Sequence, residues 1–137
     1  MYLDTQIEIA PIVIEALVER SHLLDFGGAG SFMTDFEKTM IAMGHPVNAL
    51  FPGQTLKQIT LVGLRPSQQI VAHRDAPILP AVRYHLPLLT NYRCWSFHAD
   101  SWQQLDVGRV YAMVPTEWHG AVNWGETLRL HLMVDVL

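Results

Sequence analysis

From Leu56 onward the apolar residues stop recurring at helical spacing and begin to alternate, and that change restricts the chain to a small set of folds. Strand-like runs fall at 57–63, 68–73, 81–87, 93–98, 101–104, 109–114, 118–122 and 127–135. Turn signals separate them: Arg65-Pro66-Ser67, Ala76-Pro77, Thr90-Asn91, Asp106-Val107-Gly108, Pro115-Thr116 and Asn123-Trp124-Gly125. So many short strands in about 80 residues, with no helical stretch between them, predict an antiparallel barrel or jelly roll. Before Leu56 the period differs. Gln6 to Arg20 carries Ile7, Val13, Ile14, Leu17 and Val18 at roughly helical spacing. Phe32 to Met43 repeats the pattern with Phe32, Phe36, Met40 and Met43, stopped by Gly44. Between them, Gly27-Gly28-Ala29-Gly30 follows no strand and precedes no Lys-Ser/Thr, so it reads as a connector, and a candidate lid, rather than a phosphate loop. The expectation is one mainly β (α+β) domain over 1–137: residues 1–55 form a cover of two N-terminal helices over one face, and 56–137 form the β core.

Composition narrows the function classes. Half of the residues are apolar and 16% are charged, enough for a core and too ordered a composition for disorder. The net charge of −4 argues against a nucleic-acid partner, since general phosphate affinity needs a basic field. The single cysteine, Cys94, cannot form an internal disulfide and fits a reducing compartment. The apolar window Ile7 to Val18 is interrupted by Glu8, Pro11 and Glu15, too short and too charged for a membrane span, and it has no basic leader. A cytoplasmic domain with no membrane partner is expected.

Chemistry enters with His73-Arg74-Asp75. In an extended chain, residues i and i+2 share a face, so His73 and Asp75 can converge on one ion, and imidazole plus carboxylate suits a borderline divalent metal. Near the C-terminus, Trp118-His119-Gly120-Ala121-Val122 runs through Asn123-Trp124-Gly125 into the last strand. A three-residue hairpin loop there, with Gly125 taking a left-handed backbone, would set His119 opposite Arg129 on one face. In that last strand Leu128, Leu130, Leu132, Val134 and Val136 form one face; Arg129, His131, Met133 and Asp135 form the other. Arg83 and His85 likewise share a face, opposite Val82, Tyr84 and Leu86. Two arginines and a histidine aimed inward call for an acidic ligand, because a buried unpaired guanidinium is strongly unfavourable. The alternative is rim pairing of both arginines with Asp75, Asp106, Glu117 or Glu126, and spacing alone divides the two evenly.

His73-x-Asp75, then Arg83-x-His85, then His119 with Arg129 ten residues later and a closing Val-Asp-Val together resemble the Fe(II)- and 2-oxoglutarate-dependent oxygenases. Within them the chain is most similar to the aspartyl/asparaginyl β-hydroxylase group, over roughly Gln58 to Val136. The resemblance implies a double-stranded β-helix (jelly roll, cupin-like). It makes His73 and His119 metal ligands and Arg129 the anchor of the distal 2-oxoglutarate carboxylate, where a bidentate fork suits the anion. Arg83 and His85 match an Arg-x-His that also contacts the co-substrate. Two departures stand out: Asp75 occupies a position where the animal enzymes lack a metal carboxylate, restoring a two-histidine, one-carboxylate set, and a serine contact of those enzymes falls near Val62. The implied reaction consumes 2-oxoglutarate and O2 to hydroxylate a C–H bond of a small amino-acid-like or peptidyl substrate. Two other readings remain: a cupin-like metal enzyme that does not use 2-oxoglutarate, and a module that binds an acidic ligand. His22, His45 and His98 have no ligand-spaced partner, Tyr111 and Met113 read as core, and His131 as a satisfied interior histidine.

Overall fold

The alternating segments pair into two antiparallel sheets. The computed structural model describes residues 1–21, 32–35, 49–75 and 82–136. In chain order the elements are β1 (Leu3–Glu8), α1 (Pro11–Ser21), β2 (Phe32–Asp35), β3 (Leu56–Leu64), β4 (Gln69–His73), β5 (Arg83–Leu89), β6 (Cys94–His98), β7 (Ser101–Gln103), β8 (Arg109–Met113), β9 (His119–Asn123) and β10 (Arg129–Val136). A six-stranded sheet has the order β1-β8-β5-β10-β3-β2, and a four-stranded sheet the order β4-β9-β6-β7. All eight runs expected from alternation are strands, and the architecture is mainly β with two facing sheets, as a jelly roll requires.

The N-terminal expectation fails in part. Leu3–Glu8 is a strand paired to β8, and the helix begins only at Pro11. Proline lacks an N–H and disfavours helical backbone in the residue before it, so Pro11 opens a helix rather than sitting inside one begun at Gln6. Gln6, at φ 65°, bends the strand within the irregular stretch between Asp4 and Glu8. Of the second expected helix, residues 32–35 are an edge strand on β3, and 36–43 lie outside the described residues, as does the Gly27–Gly30 connector. The stretch 1–55 is therefore not a two-helix cover: among the described residues it supplies both edge strands of the large sheet and a single α-helix.

That sheet has two different faces. Leu130, Leu132, Val134 and Val136 of β10 join Leu86, Leu88 and Val110 in a dry cluster outside the sandwich, closed by Leu17 and Ile9 at and near α1. Burying such side chains is worth about 1.5–3 kcal/mol each, so the fold's stability resides mainly here. The inner face of β10 points between the sheets and carries Arg129, His131, Met133 and Asp135. The larger hydrophobic cluster is thus displaced to one side, and the space between the sheets carries polar groups beside a smaller cluster of Tyr2, Leu105, Tyr111 and Met113.

The corner after β9 differs from the expected hairpin. β9 pairs with β4 and β6, whereas β10 pairs with β3 and β5, so His119 and Arg129 are not cross-strand neighbours. Asn123 turns the chain between the sheets: its Nδ2 donates to the carbonyls of Leu64 and Thr127, both at 2.9 Å, and its Oδ1 accepts from the Gly125 amide at 3.0 Å. Gly125 does not have positive φ; a side chain there would meet the Asn91 amide at 2.1 Å. What a side chain at 125 would disturb is the Asn91 amide and its hydrogen bonds to Asn123 and Thr127, not a left-handed backbone.

Candidate metal centre and interior anion site

His73 ends β4, His119 begins β9, and the two residues are direct partners in the ladder, with ring centroids 4.3 Å apart. Asp75 lies two residues beyond β4, held by its amide donating to the Pro115 carbonyl at 2.9 Å. The nitrogen and oxygen atoms of His73, Asp75 and His119 that could bind an ion lie within 4.8 Å of one another. Both histidines use the same local device. His73 Nδ1 donates to the Val71 carbonyl at 2.8 Å and His119 Nδ1 to the Glu117 carbonyl at 2.8 Å. Placing each proton on Nδ1 leaves each Nε2 with a free lone pair, and those atoms face Asp75 at 3.6 and 3.8 Å. Burial lowers the His119 pKa, the Glu117 carbonyl partly opposing it and His73 adding to it, so this ring is neutral at neutral pH, as a ligand must be.

Side-chain exposure falls from 46% at His73 through 32% at Asp75 to 8% at His119, so the centre opens to solvent on the β4 side. Gly120 sets the spacing of its two strands. A Cβ there would lie 2.6 Å from the Ile70 carbonyl and 3.1 Å from the Ala72 amide, in the irregular part of β4 just before His73. At the mouth, the Arg74 guanidinium stands 5.0 Å over the Trp118 ring.

The two arginines left open by the sequence have different surroundings. Arg83 Nε and Nη2 grip Asp135 at 2.8 and 3.2 Å while Nη1 reaches Asp75 at 2.8 Å. Arg83 thus has acidic partners, one of them the candidate metal carboxylate, and its pKa is raised by them despite burial. Arg129 is 2% exposed and, among the described residues, meets no carboxylate; its Nη2 reaches Ser96 Oγ at 3.3 Å across the sandwich. Burial pulls this guanidinium down to about 10, with Tyr2 and Cys94 acting in the other direction. An arginine still holds its proton there at neutral pH, so among the described residues this buried cation has no acidic partner. Ser96 pairs with Ala121, two residues along β9 from His119. Arg129 therefore reaches one same-face step, about 7 Å, from the level of the candidate ligands.

Further buried groups line the same interior: His85, His131, Tyr2, and His98, which is the ladder partner of His119. His85 Nδ1 and His131 Nδ1 are 3.1 Å apart. Burial lowers both pKa values well below the usual range, and Arg129 adds to the effect at each. His131 is indeed a hydrogen-bonded interior histidine. His98 donates from Nδ1 to the Met1 carbonyl at 2.8 Å, which ties down the segment entering β1. Tyr2 packs edge-on to His85 at 5.3 Å and against His98 at 5.4 Å. Burial pushes its phenol up to about 12, against the pull of Arg129 and Arg83. Sequence reasoning missed Tyr2, Ser96 and the Asp135 partner of Arg83, because each contact joins distant strands that alternation cannot pair. His22 and His45 lie outside the described residues.

Two facing sheets enclosing a histidine-carboxylate centre and a buried basic residue define the oxygenase and cupin class of double-stranded β-helix. The sequence pattern of the aspartyl/asparaginyl β-hydroxylase family matches residues 27–137, and the chain belongs to that family, which places it among the hydroxylases. No curated protein matches it by sequence. Solved structures agree on the fold. An oxidoreductase of the 2OG-Fe(II) oxygenase family from Burkholderia pseudomallei superposes with a TM-score of 0.75 at 9% identity, over 99% of this chain and 82% of that one. The viral collagen prolyl hydroxylase of Paramecium bursaria Chlorella virus-1 gives 0.68 at 9% identity, over 98% and 94%. A cupin domain from Bordetella pertussis Tohama I gives 0.55 at 13% identity, over 82% and 99%. Among the described residues no helix is long and apolar enough to cross a membrane.

Proposed function

We propose that this protein is an Fe(II)- and 2-oxoglutarate-dependent dioxygenase that hydroxylates a C–H bond of a small amino-acid-like or peptidyl substrate. The observation that carries the reading is the pairing of a three-ligand centre, its two Nε2 atoms freed by backbone acceptors, with a buried guanidinium that has no acid among the described residues. Two imidazoles and one carboxylate fit Fe(II), and leave coordination positions for other ligands. When bound, the metal would supply the redox chemistry that couples O2 and 2-oxoglutarate to attack on a C–H bond.

The protein's own residues do the rest. His73, Asp75 and His119 hold the ion, and the Val71 and Glu117 carbonyls keep both rings in the ligating tautomer. Arg129 neutralises the distal carboxylate of the co-substrate in a water-poor interior, where a charge-assisted pair is strong. His85, one same-face step along β5 from Arg83, contributes a further polar contact. Arg83 retains N–H groups for the co-substrate while two carboxylates hold it in place. The open side at His73 admits substrate. A reducing cytoplasm, which suits the free buried Cys94, also keeps iron ferrous.

Anaerobic titration of apo-protein with Fe(II) and then 2-oxoglutarate tests this. One iron per chain and a saturable visible charge-transfer band are expected, and His119→Ala should abolish the iron stoichiometry. Iron binding without the band would favour the cupin-like reading, and no iron binding would remove the metal centre.

A further inference from the structure

The interior contains a histidine pair that the reading above uses only in part. His85 on β5 and His131 on β10 project from neighbouring strands of the six-stranded sheet into the space between the sheets, and only their Nδ1 atoms, 3.1 Å apart, meet. Two imidazolium rings cannot share that contact, and neither can two bare nitrogens. A hydrogen bond there requires one ring with its proton on Nδ1 and the other with its proton on Nε2. Both rings are neutral, because full burial and the nearby Arg129 disfavour the charged form of each.

Which ring donates follows from where each one sits. His85 lies one same-face step along β5 from Arg83, whose Nη1 holds Asp75, and its ring packs on Tyr2, which also packs on His98, the ladder partner of His119. His131 lies one same-face step along β10 from Arg129, between β3 and β5. Its ladder partners, Val62 and Pro87, offer no side-chain donor or acceptor. On the co-substrate reading above, the anion meets His85, the ring on the Arg83 side of the pair. A carboxylate accepts hydrogen bonds and is repelled by a bare ring nitrogen.

We propose that His131 is a positioning residue. Its Nδ1–H donates to His85 Nδ1, which fixes the His85 proton on Nε2 and turns that ring into an N–H donor toward the dicarboxylate co-substrate. The inference rests on the co-substrate reading. It assigns His131 the uncommon Nδ1–H tautomer, and it makes acceptance by His85 the reason that a histidine stands at position 131 where a strand in an apolar sheet would otherwise carry a β-branched residue.

Ring-nitrogen NMR of the Zn(II)-loaded protein reads both tautomers directly, without turnover. Nδ1–H at His131 and Nε2–H at His85 are expected, and the reverse assignment, or Nε2–H at both, would overturn the proposal. In parallel, 2-oxoglutarate affinity is measured anaerobically on the Fe(II) form. His131→Leu should weaken it roughly tenfold with iron stoichiometry unchanged. His131→Asn, whose amide N–H falls near the place of Nδ1, should stay within about threefold of the parent. An unaltered His131→Leu, or a His131→Asn as weak as His131→Leu, would overturn the proposal, the second because it would make the role one of volume. A parent protein that shows the assigned tautomers yet binds no 2-oxoglutarate would refute the co-substrate reading itself and with it the purpose given to the pair.

Discussion

Replacing Arg129 by methionine should stabilise the apo-protein. The guanidinium is 2% exposed, has Ser96 Oγ at 3.3 Å, and meets no carboxylate among the described residues. Holding such a group down to about 10 rather than at its ordinary value corresponds to about 3 kcal/mol at about 1.4 kcal/mol per pH unit. The variant also forfeits the Ser96 hydrogen bond, worth about 1 kcal/mol. Methionine fills a similar volume with a flexible apolar chain. The net expectation is a gain of about 2 kcal/mol, or roughly 8 °C in Tm for a domain of this size. The sign with pH is fixed as well. The folded state holds this proton less tightly than the unfolded chain, so the penalty is complete below about pH 10 and fades only above it. The gain should therefore be the same at pH 7 and pH 9.

Urea unfolding of both proteins, free of metal and with 2-oxoglutarate added to the Fe(II) form, provides the assay. The parent should rise in stability with co-substrate, since a ligand bound only by the folded state adds RT ln(1 + [L]/Kd), about 2.7 kcal/mol at a hundredfold excess over Kd. Arg129→Met should not respond. More stable and unresponsive is the pattern of a residue retained for binding at the expense of the fold. An apo-variant less stable than the parent by 1 kcal/mol or more would refute the reasoning, because it would mean that the charge is already compensated.

Three further outcomes follow from the same geometry. Gly120→Ala forces a Cβ to within 2.6 Å of the Ile70 carbonyl, so it should cost about 1–3 kcal/mol and, by moving β4 against β9, lower metal affinity; calorimetric Zn(II) titration checks both strands' effect on the centre. Arg83→Gln strands the buried Asp135 and should destabilise by about 3 kcal/mol in urea, whereas Arg83→Met with Asp135→Leu should recover the stability but leave metal affinity about 10–100-fold down, since Asp75 has lost its holder. Below pH 6.5 the unfolded chain takes up protons that the buried His85 and His131 refuse, so apo stability should fall by about 1.4 kcal/mol per pH unit for each, and His85→Leu with His131→Leu should flatten that limb of the stability curve.

What the sequence disclosed, and what it withheld, follows from the range over which each signal acts. Alternation is local, so β3 to β10 were legible, and so was the fact that Arg129 and His131 share a face opposite Leu130 and Leu132. Pairing is not local. Asn123-Trp124-Gly125 has the composition of a hairpin loop, yet the Asn123 side chain bonds to Leu64 and Thr127 and sends β10 to the other sheet. His119 and Arg129 still reach one interior, but from opposite walls. At the N-terminus, Leu3–Glu8 has a helix-like apolar tail at Ile7, and only its ladder with β8 makes it a strand. The partner of Arg83 was half legible: Asp75 was among the candidates, while Asp135, some fifty residues away, was placed on the face of Arg129 and His131 and in the closing Val-Asp-Val but not as a partner of Arg83.

The distribution of apolar residues explains why a small domain can hold so polar an interior. A sandwich normally buries its hydrophobic core between the sheets, which would leave little room for the four buried histidines and two arginines found among the described residues. Here the six-stranded sheet turns its leucine and valine face outward and seals it with α1 and the Ile9 and Phe51 segments. Stability is generated on that side, while the facing side is free to carry groups that cost stability, Arg129 above all. The same sheet therefore serves both ends with alternate residues of one strand: Leu130, Leu132 and Val134 hold β10 in place, and Arg129, His131 and Asp135 are held by it. A one-residue slip of β10 would exchange the two sets and lose both at once, so the strand's register is specified by the cost of burying charge on the dry side as well as by the gain from packing on it.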